Sequence, residues 1–489
     1  MANVNKWLIS YGNYTDVQRR AVDFLQKELS KHVGYAVPVR HERALTQVEK
    51  QNFRIAHVGT KTENLSIENF LKTHDLNLPD HEEGYVFAVT QADENNQQEM
   101  FIIGNRPVGV LYGVMHFINE YLSHHLYTTR NYRVTDKRFF TAPATDPFPP
   151  YSVASAPSVR ERGLWTWGHV IYDYKAYLNN MARLRFNVII IWNDCVPSNG
   201  KEVVEYAHSL GIKVIWGFSW GWDNDGSAPA LTEENALAWG KKALEIYETQ
   251  YLPTGADGIY FQTFTETDEE NVQGLRISQI VPKWVNTIAS ALYAKYPDLR
   301  IQFGLHANSV KNYVEDIAAV NEKMEIVWEN CGCFPFTYFP DETQDLENTL
   351  RFTSKIACLR GKQDKFGVVT KSMCLLDWMT FVHPYEQVVL GESDEKVVIQ
   401  KAKDREKIWK FFQTYWLDNA EEAYTVIRNM SEAKNGDLLI TSLVEDGLFE
   451  KKIWFPVALY SAMLWNTNST AKELVKEVCK WNCTVFANE

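Results

Sequence analysis

The stretch "RGLWTWGHVIYDYKAYLNNMARLRFNVIIIWND", residues 162–194, decides the fold. Its last part is almost continuously apolar, the pattern of a strand covered on both faces. Within it, "YKAYLNNMARLR" places apolar residues at helical spacing. A strand, an amphipathic helix and a second buried strand make a βαβ unit, so the two strands are expected to run parallel.

The same rhythm continues towards the carboxy terminus. Further strands are expected in "KVIWGFSWGW", "DGIYFQTFTE", "RIQFGLHA", "EIVWENCG" and "GVVTKSMCLLDW", and an eighth in "DLLITSLVEDG" after a helical insertion at 395–431. Helical segments such as "GKEVVEYAHSLG" and "VPKWVNTIASALYAKYP" lie between them. Eight such units in one stretch predict an α/β chain built on a (β/α)₈ barrel of the TIM type. Residues 1–140 read as a small α+β domain, with a helix in "VQRRAVDFLQKELSKHVG" and strands in "FRIAHVGT", "GYVFAVTQ" and "EMFIIGN". Proline-bearing 141–157 reads as an extended linker, 158–465 as the barrel and 466–489 as a helical segment on its flank.

Composition narrows the function. The chain has 489 residues, 45% hydrophobic and 23% charged, with 50 Lys+Arg against 62 Asp+Glu and a net charge of −12. That acidic balance argues against a nucleic-acid or anionic-membrane partner. No apolar run is long enough to span a membrane. The start lacks the basic flank and apolar core of a secretory leader, so a cytoplasmic location is expected, or a periplasmic or secreted one if a leader was trimmed. Seven cysteines, an odd count, argue against a disulfide framework, and Cys331-Gly-Cys333 lacks a second ligand pair for a metal. Phosphate-loop, dinucleotide, zincin and serine-hydrolase motifs are missing. No cofactor is expected. A homodimer is compatible with the sequence.

A barrel of this type builds its active site at the carboxy-terminal strand ends. Those ends carry Arg162, Trp165, Trp167, Asn193, Asp194, Trp220 and Trp222, then Glu266, His306, Asn308, Trp328, Glu329, Asp377 and Trp378. Eight of the 16 tryptophans fall in these strands or just beyond them. An indole offers a flat apolar face and one donor, which complements a sugar ring. Carboxylates and amides among the indoles point to a carbohydrate cleft.

In "TFTETDEEN", Thr267–Glu270 fits a helix-capping box, with Asp268, Glu269 and Glu270 in the first turn. Glu266 precedes it on the pleat face of Gln262 and Phe264. There, aromatic surface would raise its pKa to that of a general acid. Glycoside hydrolysis needs a second carboxyl across the bond. Glu329 and Asp377 are the candidates, and the sequence does not choose between them. Arg162 would fork hydroxyls or a sugar carboxylate, or pair with a barrel acid such as Asp194. Trp165, Trp167, Asn193, Asp194, Trp220, Trp222, His306, Asn308, Trp328 and Trp378 are the other substrate-binding candidates.

With these residues placed, the chain resembles the glycoside hydrolase family 20 and family 67 group, the β-N-acetylhexosaminidases and α-glucuronidases. "IIGNRPVGVLYGVMHFINEYL" looks like the end of their α+β domain. "VRERGLWTWGHVIYDYKAYLNNMARLRFNVIIIWND" looks like their first βαβ unit, with Arg162 at the family 20 sugar-binding arginine. "EVVEYAHSLGIKVIWGF" and "LFEKKIWFPVALYSAMLWN" are similar to the third-strand unit and to the helix after the last strand. "GIYFQTFTE" then corresponds to the strand that carries the general acid, which falls on Glu266. Family 20 places an Asp before that acid, whereas Thr265 stands here. The fourth strand therefore looks closer to the α-glucuronidases, whose later carboxylates activate water for inversion.

The resemblance implies a glycosidase acting on a hexosaminide- or uronic-acid-containing glycan. A non-catalytic carbohydrate-binding protein on a degenerate barrel is the alternative. A barrel lyase or isomerase acting on uronic acids would want a basic or metal-binding cluster at the strand ends, and the sequence alone displays none.

Overall fold

The computed structural model describes residues 6–74, 76–122, 147–193, 195–221, 229–306, 308–330, 346–361, 364–374, 387–434, 436, 438–444 and 449–481. Its amino-terminal unit is a six-stranded sheet of β1 (Lys6–Tyr11), β2 (Val39–His41), β3 (Phe53–Thr60), β4 (Tyr85–Val89), β5 (Glu99–Gly104) and β6 (Tyr151–Ser155). The order is β2-β1-β3-β5-β4-β6. β2, β1, β3 and β5 are parallel, and β4 runs antiparallel to both of its neighbours. The helix Asp16–Val33 buries Ala21, Val22, Leu25 and Leu29 and stops at Gly34, whose φ of 74° suits a residue without Cβ.

One departure lies in 141–157, the expected linker. Tyr151–Ser155 leaves it to become edge strand β6, paired with β4 from Tyr85↔Ser155 to Val89↔Tyr151. "YSVAS" carries no proline, so its N–H groups are free to pair. It buries little, and an edge strand with so little apolar signal reads as a linker.

The second unit begins with β7 (Glu161–Trp167), β8 (Val188–Trp192), β9 (Lys213–Ser219) and β10 (Gly258–Gln262). Thr267–Glu270, expected to cap a helix, instead runs through an irregular loop into a hairpin of β11 (Asn271–Val272) and β12 (Leu275–Arg276). Gln273 and Gly274 form its tip with φ of 51° and 75°, a turn that no helix can contain. The helix starts at Ile277.

Strands β13 (Ile301–His306), β14 (Glu325–Asn330), β15 (Phe366–Met373) and β16 (Leu439–Val444) complete a closed, all-parallel barrel of eight strands. β16, from "DLLITSLVEDG", pairs with β15 on one side and β7 on the other, as the barrel reading requires. Helices Glu395–Asp418 and Ala420–Ala433 form the insertion before it. The helix Phe455–Trp465, buried along its whole length, and the helix Ala471–Val478 follow. No helix among the described residues is long and apolar enough to cross a membrane.

Alternation along the strands sorts the barrel side chains. Trp165, Trp167, Val188, Ile190, Trp192, Ile215, Tyr260, Val327, Val369 and Leu443 form a cluster of their own inside it. At the amino-terminal end Arg300 forks Glu161 (Nη2–Oε2 2.6 Å) and binds Glu325 (Nη2–Oε2 2.7 Å). Lys213 reaches Glu161 at 2.6 Å, and Gln302 reaches Glu325 at 2.7 Å. Glu325 and Gln302 are buried and Glu161 and Arg300 mostly so, and polar groups withdrawn that far from water must pair.

Arg162 lies at this same end, near the start of β7, and not at the mouth where a sugar-binding arginine would stand. Its Nη1 is 2.7 Å from Glu83 Oε2 of the sheet domain. Its guanidinium lies over Trp465 and Tyr112. Asn187 Nδ2 donates to the other oxygen of Glu83 at 2.8 Å. Arg162 is therefore a structural joint between the sheet domain, the barrel and the last helices.

Two measurements check this. Arg162→Met breaks a buried ion pair and should cost about 3 kcal/mol in denaturant melts while leaving ligand affinity unchanged. For Glu161, burial raises the pKa, but Arg300 and Lys213 outweigh it and bring it down to about 2. The unfolded chain then binds more protons than the folded one below the ordinary value of 4.5. The contribution is complete above that pH and drains away as pH falls towards 2, so Glu161→Gln should melt with a shallower acid dependence.

Candidate active site

At the other end of the barrel the inward positions carry a second polar group. The register sets His306 beside Glu329, and Gln262 beside Gly304. Tyr260 and Gln262 share the inward face of β10, and Lys371 projects from β15. All five polar side chains are buried.

They converge on Glu329. The Tyr260 hydroxyl and Gln262 Nε2 both donate to its Oε1. His306 Nε2 is 3.0 Å and Lys371 Nζ 3.3 Å from its Oε2. Lys371 Nζ also lies 3.4 Å from His306 Nε2. Burial alone would raise the Glu329 pKa. The His306 and Lys371 charges, with hydrogen bonds from His306 and Tyr260, overcome it and hold the carboxyl well below its usual range. Burial and the Glu329 charge push the Tyr260 phenol well above its ordinary value, so it remains a donor.

Gly304 makes room for this contact. A Cβ built there would sit 2.1 Å from the Tyr260 hydroxyl oxygen and 2.8 Å from Glu329 Oε1. Trp165, Trp167 and Trp192 share this interior and are buried in it with Tyr260. Trp165 packs edge-on to Trp167 and stacks towards Trp192, and both Trp165 and Trp192 meet the edge of Tyr260.

Glu266 stands outside this core, four residues past the end of β10. Its side chain is 50% exposed, against 3% for Glu329. The apolar surroundings expected of it are replaced by water and by His306, whose Nε2 is 3.6 Å from Glu266 Oε1. One imidazole nitrogen thus faces both carboxyls. Their nearest oxygens are no farther apart than about 6.6 Å, the 3.6 Å and 3.0 Å legs laid end to end.

The loop bearing Glu266 is clipped to its neighbours. Asn308 Nδ2 donates to Asp268 Oδ1 at 2.8 Å, Asn312 to Glu270, and the Ser309 hydroxyl to the Thr265 carbonyl. Gln273 ties the hairpin tip to Leu231 and Pro229 of the preceding loop. Asp268 and Glu270 are structural, although as loop clips rather than helix starters.

The remaining candidates separate. Trp220 stacks outward on Phe261 at 3.7 Å, and Trp328 packs outward against Phe352. Both belong to the layer between strands and helices. Asn193 is buried, with its amide on the Cys195 carbonyl. Asp194, Trp222, Asp377 and Trp378 lie outside the described residues. Tyr260, Gln262 and Lys371 were not among the sequence candidates. Lys371 had a signal, a lone charge inside the apolar run "FGVVTKSM", and with His306 it makes a basic pair at the strand ends. Among the described residues no group of three His, Cys, Asp or Glu side chains is placed to hold a metal.

No family model matches the chain, and no curated protein matches it in sequence. Among solved structures it is similar to a GH138 enzyme targeting pectin rhamnogalacturonan II, with TM-score 0.53 and 12% identity. That likeness covers 97% of this chain and 52% of the enzyme, so the chain spans about half its length. A family 89 glycoside hydrolase from Clostridium perfringens, in complex with GlcNAc-alpha-1,4-galactose, aligns at TM-score 0.45 and 9% identity over 94% of this chain and 50% of its own. A Bacteroidetes-affiliated GH5 cellulase aligns at 0.38 and 12% over 67% of this chain and 96% of its own. The first of these shows a likeness of fold alone.

The Gly304→Ala substitution overfills the site and should cost about 1–3 kcal/mol in thermal or chemical melts. An unchanged melting curve would mean that the Tyr260–Glu329 contact has slack.

Proposed function

We propose that the protein is a glycoside hydrolase that cleaves an O-glycosidic bond of a hexosaminide- or uronic-acid-containing glycan. The observation that carries this reading is the pair of unlike carboxyls about one imidazole nitrogen. Glu329 is buried and held ionised, and Glu266 is half exposed and able to exchange protons with solvent. Acid catalysis of glycoside cleavage needs such a division, one carboxyl giving a proton and one keeping its charge.

In this reading Glu266 protonates the leaving oxygen. Glu329 meets the positive charge that develops at the anomeric carbon, and His306 holds the spacing between the two. The inward tryptophans beside Tyr260 are buried on one another, and they line the barrel interior next to the two carboxyls. The barrel preceded by a sheet domain is consistent with the α-glucuronidase or β-N-acetylhexosaminidase group suggested by the sequence. Thr265 is buried and fixes the Ser309 hydroxyl through its carbonyl, so the acidic residue that family 20 uses at this place has no counterpart.

A second reading, a carbohydrate-binding protein without turnover, is favoured by one observation, the position of Glu266 beyond the strand and half in water. Turnover of aryl glycosides and native glycans separates the two. Glu266→Gln should reduce kcat by about 10²–10⁴-fold on native linkages and much less on aryl glycosides, whose leaving groups need little protonation. Glu329→Gln should abolish both. Saturable sugar binding with no hydrolysis in the parent protein would select the second reading.

A further inference from the structure

The hairpin that follows Glu266 carries a cation whose donors are not used by the protein. Arg276, the last residue of β12, rests on the ring of Tyr313 with its guanidinium carbon 4.0 Å from the ring centre. Among the described residues that guanidinium makes no hydrogen bond and no ion pair. Three acids stand close by in the chain, Asp268, Glu269 and Glu270. Two of them are already engaged by amides, Asp268 by Asn308 and Glu270 by Asn312. Tyr313 is 38% exposed and Arg276 partly so, which leaves the pair open to a ligand.

The backbone around the pair is fixed. Asn271 and Arg276 face each other across the hairpin, and Gln273 ties its tip to Leu231 and Pro229. Asn312, next to Tyr313, holds Glu270. The ring keeps the cation in place, and five N–H donors remain to it for binding. A planar fork of that kind matches the two oxygens of a carboxylate.

Position joins the pair to Glu266. Arg276 and Tyr313 come from the chain after β10 and after β13, both at the mouth end of the barrel. Asn271 lies five residues beyond Glu266, a span of at most about 18 Å when fully extended. Turns from the Thr267 N–H to the Thr265 carbonyl and from the Glu269 N–H to the Thr267 hydroxyl shorten it.

Building on the glycoside hydrolase reading above, we propose that Arg276, laid on Tyr313, is a subsite for the carboxylate of a uronic acid on the leaving-group side of the scissile bond. In that reading Glu266 protonates the leaving oxygen, and the chain that bears Glu266 runs directly into this hairpin. A departing glycan passes along it. Arg276 forks the carboxylate, and Tyr313 borders the same sugar. The substrate narrows from a hexosaminide- or uronic-acid-containing glycan to one with uronic acid beyond the cleaved bond.

The experiment uses the full chain and short oligosaccharides, one set of uronic acid alone and one of uronic acid alternating with hexosamine, each beside its carboxyl-reduced form. Binding is read by calorimetry and turnover by product analysis, so the two can fail separately. In at least one set the acidic form should bind about 3–10-fold more tightly than the reduced form, the size expected of a partly exposed charged fork. Arg276→Met should bring the two forms within about two-fold of each other. Arg276→Lys should recover only a minor part of the preference, because an ammonium is a point charge without a fork. In the parent protein the Arg276 Nε–H signal, assigned with Arg276→Lys, should move on adding the acidic form and stay still on adding the reduced one, whatever the stability of the methionine variant.

Equal binding of both forms in both sets, or a preference that survives in Arg276→Met, overturns the subsite and leaves the hydrolase reading intact. An equal loss in Arg276→Met on a dinitrophenyl uronide, which has no sugar on the leaving side, overturns the placement. A preference that depends on Arg276, with no hydrolysis of any glycan, upholds the carboxylate site and sinks the hydrolase reading.

Discussion

Everything at the mouth of this barrel follows from one costly act, the burial of the Glu329 carboxylate. An ion without water must be surrounded by donors, and each donor must itself be fixed. The barrel supplies them from strands that are distant in sequence but adjacent in the closed sheet: Tyr260 and Gln262 from β10, His306 from β13 and Lys371 from β15. A parallel barrel suits this, because strand tilt and register fix which side chains meet inside it. The glycine at 304 shows how tight the fit is, since one methyl group would occupy the contact itself.

The two ends of the barrel use the same chemistry to different effect. At the amino-terminal end Arg300 closes Glu161 and Glu325 into a mutually satisfied network. At the other end the pairing is of the same kind, but His306 extends it by one contact to the half-exposed Glu266. In the hydrolase reading proposed above, that extra contact marks the side from which a proton would be delivered. The clips among Asp268, Asn308, Glu270 and Asn312 then matter, because they hold the loop that carries Glu266 without burying it.

The sheet domain serves the barrel from below. Glu83, Arg162 and Asn187 tie it to the start of β7 and β8, and Trp465 brings the last helices to the same point. Arg162 shows how a residue type misleads when its height in the strand is unknown. An arginine on the first barrel strand suggests a sugar ligand. One at the base of that strand, between aromatic rings and a glutamate, is mortar.

The architecture was legible in the sequence because hydrophobic periodicity is local. The buried run "FNVIIIWND", the helix before it and the repeated alternation determined a parallel barrel, and the apolar "LLITSLV" determined the strand that closes it. Edge strand β6 was hidden because it buries too little to leave a pattern, and the hairpin after Glu266 because two residues with positive φ override a capping signature. The polar site was only half visible. Glu266, Glu329 and His306 could be named as strand-end residues, whereas Tyr260, Gln262 and Lys371 are chemically ordinary until the barrel closes. Which tryptophans point into the barrel was likewise undecidable, since Trp165, Trp167 and Trp192 differ from Trp216, Trp220 and Trp328 only in pleat parity. The sequence by itself determined which elements form and in what order. Only the tertiary structure decided which side chains share an ion, because that depends on register and on the closing of the sheet, and neither is written in any single strand.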